Sequence, residues 1–285
     1  MKTSVIIATY NGEKFIEEQL DSILIQSVQP DEVIITDDGS KDNTVEIVQH
    51  YIDNHGLKNS WHLYVNEQNK GYAKNFLDGV MLTTGDIVFL CDQDDIWIYD
   101  RVEKISNVMK NHPEFNLLCT NLEPFYCDDN TRKWDKKTLS EMKNDESMSL
   151  HSLVDRDYHV KRSGCTMCVR KEFVRKVYKY WIRGWAHDDF FWKMAACSNS
   201  GGLFQYTSMK RRMHANNASV LKTRSQKWRL EELELFERIN YQLEKYMDNN
   251  KYKVKNITNT IKKNKKAISL RIELIKNKKC SIGYY

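Results

Sequence analysis

The sequence predicts an α/β fold: a doubly wound, mostly parallel sheet flanked by helices, with a basic helical extension at the C-terminus. Over residues 1–120, short apolar runs alternate with segments of helical periodicity. Those runs are continuously apolar, as strands buried on both faces are, and acidic or amide side chains gather where they stop.

Strands are expected near residues 3–9, 32–37, 61–65, 86–91 and 115–120, and helices near 13–27, 42–55, 72–84 and 99–111. Val5, Ile6 and Ile7 carry the first strand, Val33, Ile34 and Ile35 the second, and Ile87, Val88, Phe89, Leu90 and Cys91 the fourth. In the first helix Ile16, Leu20, Ile23 and Leu24 recur at helical spacing, with Glu17, Glu18 and Asp21 between them. Residues 121–160, punctuated by Cys127, Asp128, Asp129 and Asn130, read as a polar surface excursion with a short helix holding Leu150 and Leu153. A strand is expected again over 163–169, a helix from 171 to about 181, and a strand at 203–206. Trp228, Leu230, Leu233, Leu235, Phe236, Ile239 and Leu243 then mark a long helix, dividing the chain into a domain over 1–220 and a helical, lysine-rich extension over 221–285.

At 285 residues and 41% hydrophobic, the chain can bury a substantial core. No stretch of eighteen apolar residues occurs and the N-terminus enters a strand pattern directly, so a cytoplasmic protein without a spanning helix is expected. The seven cysteines lie mostly in apolar segments and read as reduced side chains. Cys165 and Cys168 form the only C-x-x-C, without a second pair to complete a zinc site. The net charge of +5 is divided: residues 251–285 hold eleven Lys or Arg against one Glu, leaving 33 basic and 38 acidic residues before them.

Asp92, Asp94 and Asp95, with Gln93 among them, end the fourth apolar run, and Asp37, Asp38 and Asp42 follow the second. Clustered carboxylates repel one another, and a divalent cation or a cation-bound diphosphate relieves that repulsion. In doubly wound sheets ligands bind beyond the carboxyl ends of the strands, where Thr9, Tyr10, Asn11 and Gly12 also fall. The first strand lacks G-x-G-x-x-G, which disfavours a dinucleotide enzyme. Plain turn and capping roles compete for these residues, and for Asp42 capping of the following helix is preferred.

Thr9-Tyr10-Asn11-Gly12, Asp37-Asp38-Gly39-Ser40 with Asp42, Asn69-x-Gly71 with Asn75, Gly85-Asp86, Asp92-x-Asp94 and His187-Asp188 together resemble a family 2 glycosyltransferase with the GT-A fold. Asp92-Gln93-Asp94-Asp95-Ile96-Trp97 and Arg212-x-His214-x-x-Asn217 resemble the bacterial rhamnosyltransferase-like branch, so the resemblance runs in order over residues 3–220. It implies an inverting enzyme moving a sugar, rhamnose foremost, from a nucleoside diphosphate to a hydroxyl of a lipid-linked or polysaccharide acceptor. It further implies that Asp94, Asp92 and His214 hold Mn²⁺ or Mg²⁺, and that Thr9, Tyr10, Asn11, Asp37, Asp38, Asn69, Gly71, Asn75, Asp92, Arg212 and His214 contact the nucleotide sugar. Asp188 is the implied base, with Asp189 its alternative; the usual Glu-Asp is His187-Asp188 here, which leaves the base and changes its neighbour.

Lys70 and Lys74 are further candidates for a phosphate, and Trp97, Trp185 and Trp192 for a sugar face. In the tail, lysines interleave with Ile257, Ile261, Ile268, Leu270, Ile272, Leu274 and Ile275, a pattern suited to the anionic inner face of a plasma membrane. Nucleic acid is disfavoured by the acidic balance of residues 1–250 and the lack of a reading module. A sugar nucleotidyltransferase, which would need a Gly-rich opening with Arg and Lys after Ile7, and a non-catalytic sugar-binding module are the rival readings.

Overall fold

The first apolar run becomes β1 (Thr3–Thr9), and its side chains alternate between two cores, Val5 and Ile7 entering one and Ile6 the other. This is seen in a computed structural model, which describes residues 1–277 except 128–130, 132, 135, 152, 154–159, 161, 216, 218–224 and 253. β2 (Glu32–Asp37) and β4 (Ile87–Asp92) flank β1 in parallel, and β3 (Trp61–Val65) lies outside β2. Of the connecting helices, α1 (Ile16–Leu24) and α2 (Thr44–Asn54) cover the Val5 face, and α3 (Tyr72–Leu82) covers the Ile6 face. Gly79 lets α3 settle there, because a Cβ at that position would stand 2.3 Å from Ile6 Cδ1.

Beyond β4 the sheet is mixed. β8 (Met167–Arg170) runs antiparallel to β4 and to β6 (Leu117–Tyr126), and β9 (Gly201–Met213) lies parallel to β6. β5 (Ile96–Trp97) and β7 (Met148–Leu150) pair antiparallel with β9. α4 (Arg101–Asn111) joins α1 and α2 on the Val5 face, a short α5 (Lys136–Ser140) follows β6, and α6 (Lys171–Val177) and α7 (His187–Cys197) lie with α3 on the Ile6 face.

Several boundaries differ from those expected. The strand foreseen to end at 120 continues to Tyr126, so the surface excursion begins later, and β9 spans 13 residues rather than four. These two strands pair with each other across two register irregularities, and their polar ends hide the strand pattern. The helix expected to about 181 ends at Val177 and continues only as a 3₁₀ turn, Tyr178–Tyr180. Leu150 stands exposed in β7 rather than in a helix, while Leu153 is buried.

The C-terminal extension forms α8 (Gln226–Asn249) and α9 (Lys255–Lys276), which share the core of the Ile6 face. Leu233, Phe236, Ile239 and Leu243 of α8 and Ile257, Ile261 and Ile268 of α9 are buried in it, while Lys262, Lys263 and Lys266 face solvent. Ile257, Ile261 and Ile268 are thus turned inward, while Leu270 is exposed. Among the described residues no helix is long and apolar enough to cross one. Removing three buried carbons with Ile268→Ala is expected to cost about 2–5 kcal/mol in a denaturant titration; a change under about 0.5 kcal/mol would mean that α9 is a detached tail.

Candidate functional site

Parallel register brings the strand ends together. Thr9 lies opposite Asp37, and Ala8 opposite Asp92, so β1, β2 and β4 deliver their last residues to one edge of the sheet. Asp37 is fully buried and both its oxygens are engaged: Oδ1 accepts the amides of Gly39 (3.0 Å) and Ser40 (2.7 Å), and Oδ2 accepts the hydroxyls of Thr9 (2.8 Å) and Ser40. It therefore ties the turn and has no oxygen open to a nucleotide, a different place from the one expected. Asp38 accepts Asn66 Nδ2 (3.0 Å) and the amides of Lys70 (2.8 Å) and Gly71 (2.8 Å), joining the second strand end to the start of α3. Asn75 is likewise absorbed, donating to Thr36 O (2.7 Å) and accepting from Asn66 (2.9 Å). Asn69 accepts the Gly71 amide at 3.0 Å, and Asp42 accepts the amide and hydroxyl of Thr44, the first residue of α2, from one position before the N-cap Asn43. Lys74 is paired with Asp78 and Tyr178, and Lys70 bonds Asn66.

Asn11, in the left-handed region at φ 51°, donates its amide to Ser40 Oγ and accepts that of Lys41, both at 2.8 Å. Tyr10 is exposed, and its amide donates to Gln93 Oε1 at 2.8 Å, while Gln93 Nε2 returns a bond to Tyr10 O at 3.1 Å. This exchange ties the end of β1 to the acidic loop. A Cβ on Gly12 would stand 2.3 Å from Gln93 Oε1, so only glycine permits that approach.

The acidic loop is held from below by β9, because β5 pairs Ile96 with Lys210 and Trp97 with Met209. Asp94 Oδ2 meets His214 Nε2 at 2.7 Å and Asn217 Nδ2 at 3.3 Å, and Asn217 Oδ1 in turn accepts the His214 amide at 2.7 Å. His214 thereby orients Asp94. Arg212 is committed to the scaffold: its amide donates to Asp95 Oδ1 (2.9 Å), Nε donates to Asp94 O (2.9 Å), Nη2 pairs with Glu18, and the guanidinium lies between the rings of Phe15 and Phe125. Its Nε and Nη2 are thus taken up by the scaffold, a different place from the phosphate contact expected of it.

Asp92, Asp95 and Cys165 each offer one ligand atom, all within 4.8 Å of one another. Burial, then the neighbouring Asp94, raises the Asp92 carboxyl to about 6, against the pull of Arg211. Burial pushes Asp95 well above the usual carboxylate range, with Asp94 and Asp92 adding to it, and Asp95 Oδ2 is buried without a partner among the described residues. Crowded carboxylates with an orphaned oxygen are a donor set that a hard divalent cation fits. Asp92 and Asp94 could hold one, since the bonds of Asp94 fall on Oδ2 and leave Oδ1 open. The Cys165 thiol, kept protonated by burial, is a poor partner for such a cation.

The first turn of α7 brings the remaining carboxylates. Asp189 is buried and bound by Lys193 Nζ (2.5 and 2.7 Å) and Trp185 Nε1 (2.8 Å), which commits it to the core. Asp188 is half-buried and accepts the Asp189 amide at 2.8 Å; burial first, and Asp189 second among the groups that raise it, lift its carboxyl to about 6. Tyr72, the first residue of α3, meets His187 with ring centroids 5.9 Å apart, and a Cβ on Gly164 would stand 3.3 Å from Asp188 Cβ, so the start of α7 lies beside the start of α3 and the turn that precedes β8; the Asp188 charge reaches Asp92 and Tyr72. His187 is buried against Phe76, with ring centroids 4.1 Å apart, and burial lowers its pKa to about 3. Trp97, Trp185 and Trp192 are all core.

Sequence reasoning gave no role to Gln93, Tyr72 and Arg211, and set Cys165 aside as a metal ligand. Arg211 is the cation whose field reaches Asp92, Asp94, Asp95 and Asp188, and alternation along β9 puts it on the opposite face from Arg212, the signal that separates them.

Residues 4–178 match the family described as Glycosyl transferase family 2. A dTDP-rhamnosyl transferase of Shigella flexneri, RfbG, is 30% identical over 230 residues, covering 74% of this chain and 72% of that protein. WfgD of Escherichia coli, a UDP-Glc:alpha-D-GlcNAc-diphosphoundecaprenol beta-1,3-glucosyltransferase, is 34% identical over 113 residues, 39% of this chain and 43% of its own. Against other curated relatives the chain spans less than half of their length, 33% and 48% in two cases. Among solved structures, Staphylococcus aureus TarS 1–349 in complex with UDP-GlcNAc superposes with a TM-score of 0.66 at 22% identity, over 84% of this chain and 66% of that one. The mannosyltransferase PcManGT of Pyrobaculum calidifontis, in complex with GDP-Man and Mn²⁺, gives 0.59 at 17% identity, over 97% and 73%. At these identities the superpositions establish a shared GT-A fold.

The elevated Asp188 carboxyl has a consequence for stability. Its folded value, about 6, lies above the ordinary 3.8, so folding takes up a proton and is favoured as pH falls from about 6 towards 4. In metal-free buffer, Asp188→Asn is expected to remove part of that gain, on the order of 1–2 kcal/mol after allowance for solvent screening, in denaturant midpoints taken across this range. Identical pH profiles for the two proteins would show an ordinary surface carboxylate.

Proposed function

Because the chain belongs to glycosyl transferase family 2, we propose that it is a metal-dependent, inverting glycosyltransferase that moves rhamnose from a nucleoside-diphosphate donor to a hydroxyl of a lipid-linked or polysaccharide acceptor. The observation that carries the reading is the crevice itself. The charge of Asp188, from α7, reaches Asp92, from β4, beside an Asp94 with an open oxygen. Rhamnose is favoured by the likeness to RfbG, which spans most of both proteins, and a lipid-linked acceptor by the likeness to WfgD.

The nucleotide half of the donor would lie along the edge formed by Thr9, Tyr10, Asn11 and Asp38, with its diphosphate turned towards Asp92 and Asp94. A divalent cation held by those two carboxylates supplies charge stabilisation for the departing diphosphate. Arg211 adds a fixed positive charge on the same side. Asp188 takes the proton of the acceptor hydroxyl as its oxygen attacks the anomeric carbon from the face opposite the diphosphate. The new carbon–oxygen bond forms, the bond to the diphosphate oxygen breaks with its electron pair, and the configuration inverts. With its carboxyl at about 6, Asp188 is ionised at neutral pH yet basic enough to draw the proton. Asp189, locked to Lys193, stays out of the reaction.

A UDP-hexose or UDP-N-acetylhexosamine donor is the second reading, supported by WfgD and by the UDP-GlcNAc bound to TarS. Attachment to the inner face of the plasma membrane would rest on the exposed Lys262, Lys263 and Lys266 as an electrostatic contact.

A panel of nucleotide sugars that includes dTDP-rhamnose, incubated with acceptor and Mn²⁺ or Mg²⁺, tests the donor; turnover of none of them would overturn the reading. Asp188→Asn is expected to lower kcat by roughly 10²–10⁴ while donor binding persists. In the unaltered enzyme kcat/KM should fall about tenfold per unit below a pH of about 6, and a flat profile there would remove Asp188 as the base. A chelator should abolish transfer and added Mn²⁺ or Mg²⁺ restore it.

A further inference from the structure

The transfer reaction leaves one feature of the crevice unused, the thiol of Cys165. This fully buried residue lies in the 3₁₀ turn Gly164–Thr166, just before β8. Because β8 runs antiparallel to β4, the turn comes back over the end of β4 and sets Sγ beside Asp92 and Asp95. Asp95 is 1% exposed; one of its oxygens accepts the Arg212 amide, and the other is buried without a partner among the described residues. The Cys165 thiol faces Asp92 as a hydrogen-bond partner, one ligand atom of each of the three residues lies within 4.8 Å of the others, and Asp95 keeps an unpartnered buried oxygen, so a cation would find three donors there, one of them unsatisfied.

Mg²⁺ and Mn²⁺ prefer oxygen and gain nothing from sulfur, whereas Zn²⁺ binds thiolate and carboxylate together, commonly through three protein ligands and an open fourth position. Tetrahedral ligands at about 2.0–2.3 Å from the metal stand roughly 3.3–3.8 Å apart, so the three donors need only a small contraction to close on one ion. The half-buried Asp92 gives the way in from the crevice.

We propose that Asp92, Asp95 and Cys165 form a binding site for a thiophilic divalent cation, Zn²⁺ foremost, and that filling it withdraws Asp92 from the donor cation and stops transfer. On binding, the S–H bond of Cys165 breaks, the proton passes to solvent and an S–Zn bond forms, with no change of oxidation state. The site stands on its own geometry; only the inhibitory consequence rests on the function proposed above.

The test is titration of the metal-free full chain with Cd²⁺ and Co²⁺, followed by thiolate-to-metal charge-transfer absorption, and with Zn²⁺ by calorimetry. The unaltered protein is expected to gain one equivalent of charge-transfer absorption that Cys165→Ser lacks, with Zn²⁺ affinity lowered roughly 100-fold in the variant, at or beyond the upper end of what loss of an outer-shell partner costs. Cys165→Ala serves as a second variant should the serine disturb folding, and the difference between proteins removes any contribution of the exposed Cys127. Equal absorption and affinity in variant and parent would overturn the site. With the site established, Zn²⁺ should inhibit Mn²⁺-supported transfer in the parent and far less in Cys165→Ser; Zn²⁺ bound through Cys165 with transfer undiminished would overturn the inhibitory role.

Discussion

Mutual repulsion among carboxylates gathered at one edge of a parallel sheet is the constraint on which this structure turns. Parallel pairing aligns the carboxyl ends of β1, β2 and β4, and with them Asp37 and Asp92. Such a concentration of negative charge destabilises the fold unless each group finds a donor, a proton or a cation. Asp37 and Asp38 are satisfied by donors from their own turn and from the start of α3. Asp95 is satisfied at one oxygen only, by the Arg212 amide, and it is the carboxyls of Asp92 and Asp95 that burial and repulsion raise.

Much of the surrounding structure serves to keep this arrangement from relaxing. Arg212 reaches from β9 to the main chain of the acidic loop and to Glu18 of α1, so that three elements fix the loop's position. Asp189 and Lys193 form a buried pair that, with Trp185, anchors the first turn of α7 and leaves Asp188 to face the crevice. Breaking such a pair by removing one partner strands a charge in the core, which makes these residues as necessary to the site as those that line it. α8 and α9 add to the core behind α7, so the basic extension belongs to the same structural unit as the crevice.

The first four strands and the helices between them were legible because strands buried on both faces are continuously apolar and the helices carry a clear apolar stripe. β5, two residues long, and the polar ends of β6 and β9 were not, since their strand character comes from partners distant in sequence. Within the site, Asp92, Asp94 and Asp188 were readable as residues ending a strand or opening a helix. The commitment of Arg212 to Glu18, 194 residues away, was not readable, nor was the approach of Cys165 to the acidic loop, because both depend on tertiary packing. The saturation of Asp37 lies between these cases, since Asp-x-Gly-Ser is itself turn chemistry.

Convergence of acidic side chains on one cation-bridged diphosphate is most directly tested by the linkage between the cation and the nucleotide. Free Mn²⁺ can be followed by electron paramagnetic resonance as the protein is titrated with and without a nucleoside diphosphate. If the two ligands share Asp92 and Asp94, the nucleotide should tighten Mn²⁺ binding by tenfold or more, about 1.4 kcal/mol of coupling, and Mn²⁺ should tighten nucleotide binding equally. Mn²⁺ and nucleotide binding independently of each other would contradict it.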